Sequence, residues 1–349
     1  MKLKYYLRGL GIGMDIRSES SGKNSGLIEN YSVSSGVKVA GQLINTGEIK
    51  NYNFGNAVLV SNGTFINEGG VIDGGYGVAI KSEVLRLKDP ITEKYYDAPT
   101  NNNVVLKGGE IKGTIEGGVG IDALFFQGDN NISDMRIENY EILSAAGGNS
   151  KIDNSFIDLE YSQGNKGYFD ENKNKLESEG VITSDKGKLE ISNSTLVIDF
   201  KNSLTDKTLE NSIISADKLI LNGDVKFSFI SGDGRTEFNL SEAFGGVDIE
   251  MSENADIKSS VIWNYEVKDG NVIAKKNSYG DILTTSKLSK FATLLEGDRI
   301  EKSALETKAI DKSLIYAVSD AEQLQTAGEF TSAMKVANLD NLDVVNISP

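Results

Sequence analysis

Apolar residues along this chain fall in groups of three to five that alternate with Gly, Asn and other polar positions. The groups are rich in β-branched side chains, which predicts short β-strands rather than helices. They include Val37–Val39, Ala57–Val60, Val104–Leu106, Lys188–Ile191 and Lys218–Leu221. No helical spacing of apolar residues is found before about residue 285. The sequence therefore predicts a mainly β protein up to that point.

The predicted strands recur with a loose period of about 20 residues. The segment around Asn45 recurs around Asn67, 22 residues later. The segment around Asn154 recurs around Asn193, 39 residues later. Steps near one or two such periods predict a solenoid, and the missing Leu-x-x-Leu-x-Leu frame disfavours leucine-rich repeats. The best interpretation is a right-handed parallel β-helix with Asn residues stacked in hydrogen-bonded ladders at its turns.

Two longer polar stretches, residues 86–103 and 162–178, interrupt the predicted coils. They are predicted to be loops that project from the solenoid, where such loops often carry a binding surface. The side chains that these loops would offer to a partner are Tyr95, Tyr96, Asn101, Tyr168 and Phe169. The loops either bind a partner or are solvated insertions without a task, and the sequence leaves both interpretations open.

The last third of the chain has a different pattern. Residues 261–274 predict two strands about a tight turn at Asp269-Gly270 and contain Trp263, the single tryptophan. From residue 286 onward, apolar residues such as Leu288 and Phe291 take helical spacing. The predicted organisation is a β-helix over residues 1–240, terminal coils with a hairpin cap over 241–285, and a helical linker over 286–349.

The composition removes several classes of function. The formal net charge of −15 disfavours a nucleic-acid partner, because that binding relies on clustered Lys and Arg. The chain has no His and no Cys, which excludes Ser-His-Asp and Cys-His catalysis and the usual zinc sites. There is no apolar run of membrane-helix length, and Arg8 interrupts a would-be signal peptide. If the protein is exported, we expect its signal peptide to lie upstream of residue 1, and this chain to be a fragment of a longer gene product.

One segment, Gly117–Phe125, matches a unit of the calcium-binding nonapeptide repeat, with Asp122 as the ligand. A related segment, Gly74–Ile80, lies 43 residues earlier but has Ala79 where Asp122 stands. Calcium capture in such repeats needs tandem copies, which the neighbouring residues do not supply. A structural turn of the β-helix is therefore the preferred interpretation, and neither a metal nor a cofactor is predicted.

Other motifs give weaker indications of chemistry. Gly9–Gly13 lacks the strand and helix that frame a dinucleotide loop, and Ser231–Arg235 is typical of a turn. Some β-helices cleave or eliminate polysaccharides with clustered Asp residues, so Asp122, Asp153 and Asp158 form a candidate catalytic group. In a chain with 51 acidic residues, chance proximity is expected, and a solvated acidic surface is the preferred interpretation.

The C-terminal part of the chain resembles the junction between passenger and translocator in monomeric (type V) bacterial autotransporters, particularly the large fusobacterial adhesins. The residues that carry this resemblance are Trp263, Tyr265, Gly270, Val272, Tyr279 and Phe291. The Asn-Thr-Gly and Asn-Glu-Gly segments also resemble passenger repeats. In that family the passenger end acts as an autochaperone that nucleates folding outside the cell. The resemblance implies that these six residues form the core of such a cap.

The resemblance also implies a bacterial cell-surface or extracellular location, with an outer-membrane barrel in the full-length protein. The implied function is adhesion through a host or bacterial surface receptor, without enzymatic activity. The chain departs from the family pattern because it shows neither a signal peptide nor the alternating strands of the barrel. A purely structural surface spacer and a polysaccharide-active enzyme are the alternatives. Self-association of two rods through exposed edges also stays open.

Overall fold

The computed structural model describes residues 4–7, 12–83, 85–88, 90–91, 93–160, 164–198, 200–202, 209–229, 237–269, 271–283 and 321–340. In this part the chain is mainly β, as predicted, and its long sheets are parallel. Strands pair with the strand one coil further along the chain, so that short strands stack into faces. We number these faces 1 to 3 in the order in which each coil visits them. The arrangement is solenoid-like.

Face 1 begins with strands that pair from one coil to the next and continues after a break. Its strands are β1 (Lys4–Leu7), β4 (Leu27–Asn30), β7 (Glu48–Asn51), the first parts of β10 (Val71–Ser82) and β14 (Glu110–Glu116), then β16 (Asn130–Ser133), β19 (Asn149–Asp153), β21 (Lys188–Ser192), β26 (Lys218–Asn222) and β29 (Ile249–Met251). The break lies between β14 and β16, which belong to different sheets.

Faces 2 and 3 complete each coil. Face 2 contains β2 (Met14–Ile16), β5 (Val37–Val39), β8 (Asn56–Val60), the second parts of β10 and β14, β17 (Arg136–Tyr140), β20 (Phe156–Leu159), β22 (Thr195–Ile198), β27 (Asp224–Phe229) and β30 (Asp256–Ile257). Face 3 contains β3 (Ser21–Asn24), β6 (Gln42–Asn45), β9 (Thr64–Asn67), β13 (Asn102–Leu106), β15 (Asp122–Gln127), β18 (Ile142–Ala146) and β25 (Ile213–Ser215).

The remaining elements lie outside the three faces. The antiparallel strands are β11 (Leu85–Lys88) with β12 (Tyr95–Ala98), β23 (Phe200–Asn202) with β24 (Leu209–Asn211), and β28 (Glu237–Asn239) with β32 (Asn271–Lys276) and β31 (Trp263–Lys268). The helices are α1 (Asn165–Ser178), α2 (Leu240–Ala243), α3 (Tyr279–Ile282) and α4 (Ala327–Asp340). No helix in the described part of the chain is long and apolar enough to cross a membrane.

The core is a column of apolar side chains that stack from coil to coil. On face 3, Leu43 pairs with Phe65 and Phe65 with Val104, and all three are fully buried. Alternate residues of each strand point inward, so one apolar residue every second position is enough to fill the interior. The coils therefore bury a continuous core, although each coil alone has no closed interior.

Stacked asparagines connect successive coils at the corner between faces 3 and 1. The Asn24 Nδ2 atom donates to Asn45 Oδ1 at 2.8 Å, and Asn45 Nδ2 donates to Asn67 Oδ1 at 2.8 Å. Asn67 continues the ladder to the Gly108 carbonyl oxygen at 3.1 Å. All three asparagines are buried, so each side-chain amide supplies a hydrogen-bond partner that its buried neighbour would otherwise lack. The predicted Asn ladder and the 22-residue step are confirmed.

A second stack fixes the turns between faces 1 and 2 in the later coils. Asn154 and Asn193 have positive φ angles of 46° and 48°, and Asp134 and Gly223 occupy the same turn in other coils with φ angles of 57° and 59°. Asn, Asp and Gly tolerate this left-handed conformation better than other residues. Strand β19 pairs with β21 in the register that the 39-residue step predicts. That repeat is also confirmed.

We expect Asn45→Ala to destabilise the solenoid by about 2–4 kcal/mol, because it leaves a buried donor on Asn24 and a buried acceptor on Asn67 without their partner. Chemical denaturation followed by far-ultraviolet circular dichroism measures the loss. Asn131→Ala, at an exposed position of β16, is the matched control and should change the free energy of unfolding by less than about 0.5 kcal/mol. Equal losses in both variants would show that the ladder contributes nothing specific.

The predicted equivalence of Gly74–Ile80 and Gly117–Ala123 is wrong. Val78 pairs with Thr114, so the segment after Gly74 lies on face 2 beside β14. Asp122 instead pairs with Asn102 on face 3. The spacing of 43 residues is misleading because the hairpin β11–β12 lengthens a single coil, in which Val71 pairs with Glu110, 39 residues later.

The insertion at residues 162–178 is a helix, not the predicted loop. Helix α1 packs on the outer side of face 3, where Phe169 and Leu176 are buried in a cluster that includes Val105 and Phe125. The two helix residues are seven positions apart and therefore share one side of the helix. Although no helical spacing of apolar residues is found before about residue 285, α1 and the short helices α2 and α3 form there. The large apolar residues that α1 buries are only Phe169 and Leu176, which is too few for a helical pattern to be recognised in the sequence.

The predicted hairpin near the C-terminus is confirmed. Strands β31 and β32 pair in antiparallel fashion from Trp263–Lys276 to Lys268–Asn271, and Asp269 has a φ angle of 51° at the turn. Helix α4 lies within the predicted helical linker, whose residues 286–320 and 341–349 lie outside the described residues. The division of the chain at residues 240 and 285 stays a prediction.

Candidate interaction surfaces

The hairpin formed by β11 and β12 exposes large apolar side chains. Ile91 is 90% exposed and Tyr95 is 64% exposed, and Leu87 and Tyr96 are also exposed. The strands pair with each other, from Leu85 with Ala98 to Lys88 with Tyr95, and with none of the three faces. The structure therefore places Tyr95 and Tyr96 on an exposed antiparallel hairpin, where the sequence predicts a loop over residues 86–103. Their role as contact residues stays a prediction.

The other predicted loop residues have different surroundings. Asn101 belongs to the coils of the solenoid rather than to a projecting loop. Its backbone N–H donates to Asn62 Oδ1 at 2.9 Å, and its Oδ1 accepts from the Ile121 N–H at 2.9 Å. Phe169 is 7% exposed and stacks on Phe125, with ring centroids 6.2 Å apart. Tyr168 is half-buried against the same cluster. Phe169 is a packing residue, so its prediction as an exposed contact is wrong.

A second exposed surface, absent from the predictions, lies at the corner between faces 1 and 2 in the early coils. We call it the aromatic strip, and it consists of Tyr31, Val33, Tyr52, Phe54 and Tyr76. All five side chains are exposed, Phe54 and Tyr76 to 80% and 78%. Tyr31 and Tyr52 are 21 residues apart, which is one coil. This spacing of single aromatic residues is the signal that could have revealed the strip.

The strip is held in place by the coils beneath it. The rings of Tyr31 and Tyr52 stack with centroids 4.7 Å apart and planes 10° apart. The Tyr52 hydroxyl donates to Glu29 Oε1 at 3.3 Å, and the pKa of Tyr52 is raised by desolvation and by the nearby Glu29 carboxylate. Phe54 and Tyr76 lie 6.1 Å apart with a tilt of 39°. The rings therefore form two pairs, each of which joins adjacent coils.

Two acidic residues are buried together inside the solenoid. Glu141 Oε2 accepts from the Asp122 N–H at 2.7 Å, and Asp122 accepts from Asn102 Nδ2 at 2.7 Å and from the Gly118 N–H at 2.6 Å. Both side chains are enclosed. Desolvation, together with the nearby Asp122 carboxylate, raises the pKa of Glu141 to about 9, and desolvation also raises the pKa of Asp122. Glu141 is therefore neutral at pH 7.

The candidate catalytic group does not converge in space. Asp122 lies on face 3, Asp158 on face 2, and Asp153 at the end of a face 1 strand. Asp122 has protein hydrogen-bond donors at both carboxylate oxygens, which leaves it buried in a structural role. Within the described ranges, no group of three acidic residues is placed to hold a metal ion. The three carboxylates predicted as a candidate catalytic group therefore lie on three different faces.

The predicted cap residues come together at the C-terminal end of the solenoid. Trp263, Val272 and Tyr279 are buried, and Tyr265 is half-buried against Phe227 with ring centroids 5.7 Å apart. Gly270 and Phe291, the two other predicted cap residues, lie outside the described residues.

A buried glutamate that the sequence did not reveal holds this cap together. Trp263 Nε1 donates to Glu322 Oε2 at 3.0 Å, and Tyr279 donates its hydroxyl to Glu322 Oε1. Lys276 forms an ion pair with Glu322 at 3.2 Å. The pKa of Tyr265 lies well above its usual value because of burial and the Glu322 carboxylate. Glu322 therefore connects the hairpin, helix α3 and the segment that precedes α4.

A cavity of about 390 Å³ opens at the break in face 1. Its lining includes Glu110–Lys112 and Asn130–Ser133, together with the apolar side chains of Leu106 and Met135. The paired strands of faces 2 and 3 continue past it, so the coils separate on one side only.

Comparison of this chain with family models, curated proteins and solved structures finds no match in any of the three. The two exposed surfaces, the hairpin and the aromatic strip, are therefore the features from which a function is inferred. Both consist of side chains that contribute little to the core. Their apolar surface is exposed to water, which is unfavourable, and a bound partner would cover it.

Proposed function

We propose that this chain is a non-enzymatic, surface-exposed solenoid, a right-handed parallel β-helix, that binds a receptor on host or bacterial cells. The observation that carries the proposal is the projecting hairpin with its exposed Leu87, Ile91, Tyr95 and Tyr96. Exposed apolar and aromatic side chains on one projecting element are typical of interaction sites, since Tyr in particular is enriched where proteins bind partners. A rigid scaffold that carries such a loop is a common design for binding.

We further propose that the chain is the passenger region of a monomeric autotransporter, located on the bacterial surface or outside the cell. The aromatic cap around Trp263 and Tyr279 supports this proposal, because a solenoid needs a terminal cap and the resemblance assigns this region to an autochaperone. An outer-membrane barrel would then follow in the full-length protein. The acidic surface, with its net charge of −15, disfavours nucleic acid as a partner.

The test is replacement of residues 86–97 by a short Gly-Asn-Gly turn. Leu85 and Ala98 are paired across the hairpin, so a short turn can join them without moving the coils of the solenoid. Residues 100–103 must be kept, because Thr100, Asn102 and Asn103 are buried in the solenoid. We expect binding of the purified protein to host or bacterial cells to fall at least tenfold, with an unchanged circular dichroism spectrum and unfolding midpoint.

Asn131→Ala provides the matched control and should bind like the unaltered protein. The point variant Tyr95→Ser/Tyr96→Ser separates the role of the two rings from the role of the hairpin backbone, and we expect it to lose most of the binding. Full binding by the hairpin replacement would contradict the proposal, because the hairpin would then not be the binding surface. Absence of binding by the unaltered protein would favour a purely structural spacer.

A further inference from the structure

The aromatic strip has the form of a narrow platform along the solenoid axis. Its side chains come from consecutive coils, which places them about one strand spacing apart. Tyr31 and Tyr52 lie in adjacent coils and are 4.7 Å apart. In the next coil Gly75 stands beside the Tyr52 backbone: a Cβ atom there would lie 3.6 Å from the Tyr52 Cα atom. That glycine carries no side chain that could cover the Tyr52 ring.

The platform is too narrow for a stable protein partner. Specific protein–protein interfaces use about 20–30 residues on each side. The strip offers five exposed apolar side chains whose rings form two short rows, Tyr31 with Tyr52 and Phe54 with Tyr76. A ligand that fits these rows is narrow, at most about two rings wide.

The charges around the strip favour a neutral ligand. Tyr52 is hydrogen-bonded to Glu29, and Lys50 beside it is already paired with Glu48 at 2.7 Å. Asp73 adds a further carboxylate close to Lys50. With a net charge of −15 on the whole chain, a polyanion or a second copy of this chain would be repelled.

We propose that the aromatic strip binds a neutral polysaccharide or oligosaccharide chain. The apolar C–H face of a pyranose ring packs against an aromatic ring, whose electron-rich face attracts the weakly positive C–H groups. The Tyr52 hydroxyl donates to the buried Glu29 carboxylate and can still accept a hydrogen bond from a sugar hydroxyl group. This inference goes beyond the proposed receptor binding, because the strip and the hairpin are separate surfaces that different variants can remove.

Affinity electrophoresis tests the proposal with the whole chain and gels that contain neutral glycans: xylan, galactomannan, soluble starch or hydroxyethyl cellulose. Polygalacturonate and heparin serve as anionic glycans of similar chain length. We expect at least one neutral glycan to retard the protein and the anionic glycans to leave its mobility unchanged. Phe54→Ser/Tyr76→Ser should weaken the retardation at least tenfold, and Tyr52→Phe, which removes only the hydroxyl, should weaken it about twofold to fivefold.

Tyr95→Ser/Tyr96→Ser removes two exposed rings elsewhere and should leave glycan binding unchanged. Because the substituted strip residues are exposed, circular dichroism should show that all variants fold. Lack of retardation by every neutral glycan would overturn the inference, and so would retardation that the strip variant keeps. If the strip variant lost binding to cells but the protein bound no glycan, the occupant would be a protein and the inference would be wrong. A failure here leaves the hairpin experiment unaffected, so the two proposals can fail separately.

Discussion

Replacement of Trp263 by alanine is expected to destabilise the C-terminal coils by about 3–5 kcal/mol, the loss typical of a buried aromatic residue changed to alanine. The indole ring is buried and lies 4.7 Å from the Phe229 ring, so its removal leaves a cavity in the aromatic cluster. It also removes the donor that Trp263 Nε1 supplies to the buried Glu322 carboxylate. An unmade hydrogen bond to a buried charged group adds to the cost.

The loss should begin at the end of the solenoid, because each coil contacts only its neighbours. Hydrogen–deuterium exchange of individual segments measures this: β26, β29 and β31 should exchange faster, while β6 and β9 should keep their protection. Val267→Ala, at an exposed position of the same hairpin, is the control and should change stability by less than about 0.5 kcal/mol. Unaltered exchange in the C-terminal coils of the Trp263→Ala protein would refute the role of the cap.

Stability should fall as the pH rises from 5.5 to 8.5, and Glu141→Gln should remove much of this dependence. The pKa of Glu141 is about 9 in the folded protein, against an ordinary value of 4.5. Below pH 4.5 the carboxyl is protonated in both states, and its contribution is fully present. Between about pH 4.5 and 9 the unfolded chain releases the proton while the folded chain keeps it, so folding becomes less favourable.

The expected slope for one such proton is up to about 1.4 kcal/mol per pH unit, or up to about 4 kcal/mol over three units. Gln keeps the carbonyl oxygen that accepts from the Asp122 N–H, and it has no proton to lose in this range. Denaturant unfolding at several pH values measures the slope. Glu250→Gln is the control, because Lys218 lowers the pKa of that exposed residue and its effect lies at lower pH. A Glu141→Gln protein with the slope of the unaltered chain would show that Glu141 does not titrate in this way.

The features that the sequence could predict depend on uninterrupted spacing. Asn45 and Asn67 lie in adjacent coils of ordinary length, so their step equals the period of the structure. The C-terminal hairpin was predictable because Asp269-Gly270 is a strong local turn signal and the two strands are adjacent in sequence. In both cases the information lies within one coil or one turn.

The features that the sequence could not predict depend on contacts between distant residues. The hairpin insertion shifts the period, so Asp122 and Ala79 have matching positions in the sequence pattern although they lie on different faces. Glu141 is buried where it accepts from the Asp122 N–H of the preceding coil, and a glutamate between Tyr and Ile gives no local sign of this burial. Helix α1 was missed because its burial depends on the apolar outer side of face 3, which no property of its own residues reveals.

Three insertions in the described part of the chain, the hairpins β11–β12 and β23–β24 and helix α1, leave the solenoid at one corner, directly after a face 2 strand. The other two corners are occupied by the stacked Asn24–Asn67 amides and by the left-handed turns at Asn154 and Asn193. In the described residues these three insertions thus lie along a single corner of the solenoid, between faces 2 and 3. A foreign peptide grafted in place of β11–β12 would be displayed at this corner, while the amides that hold the rod together stay untouched.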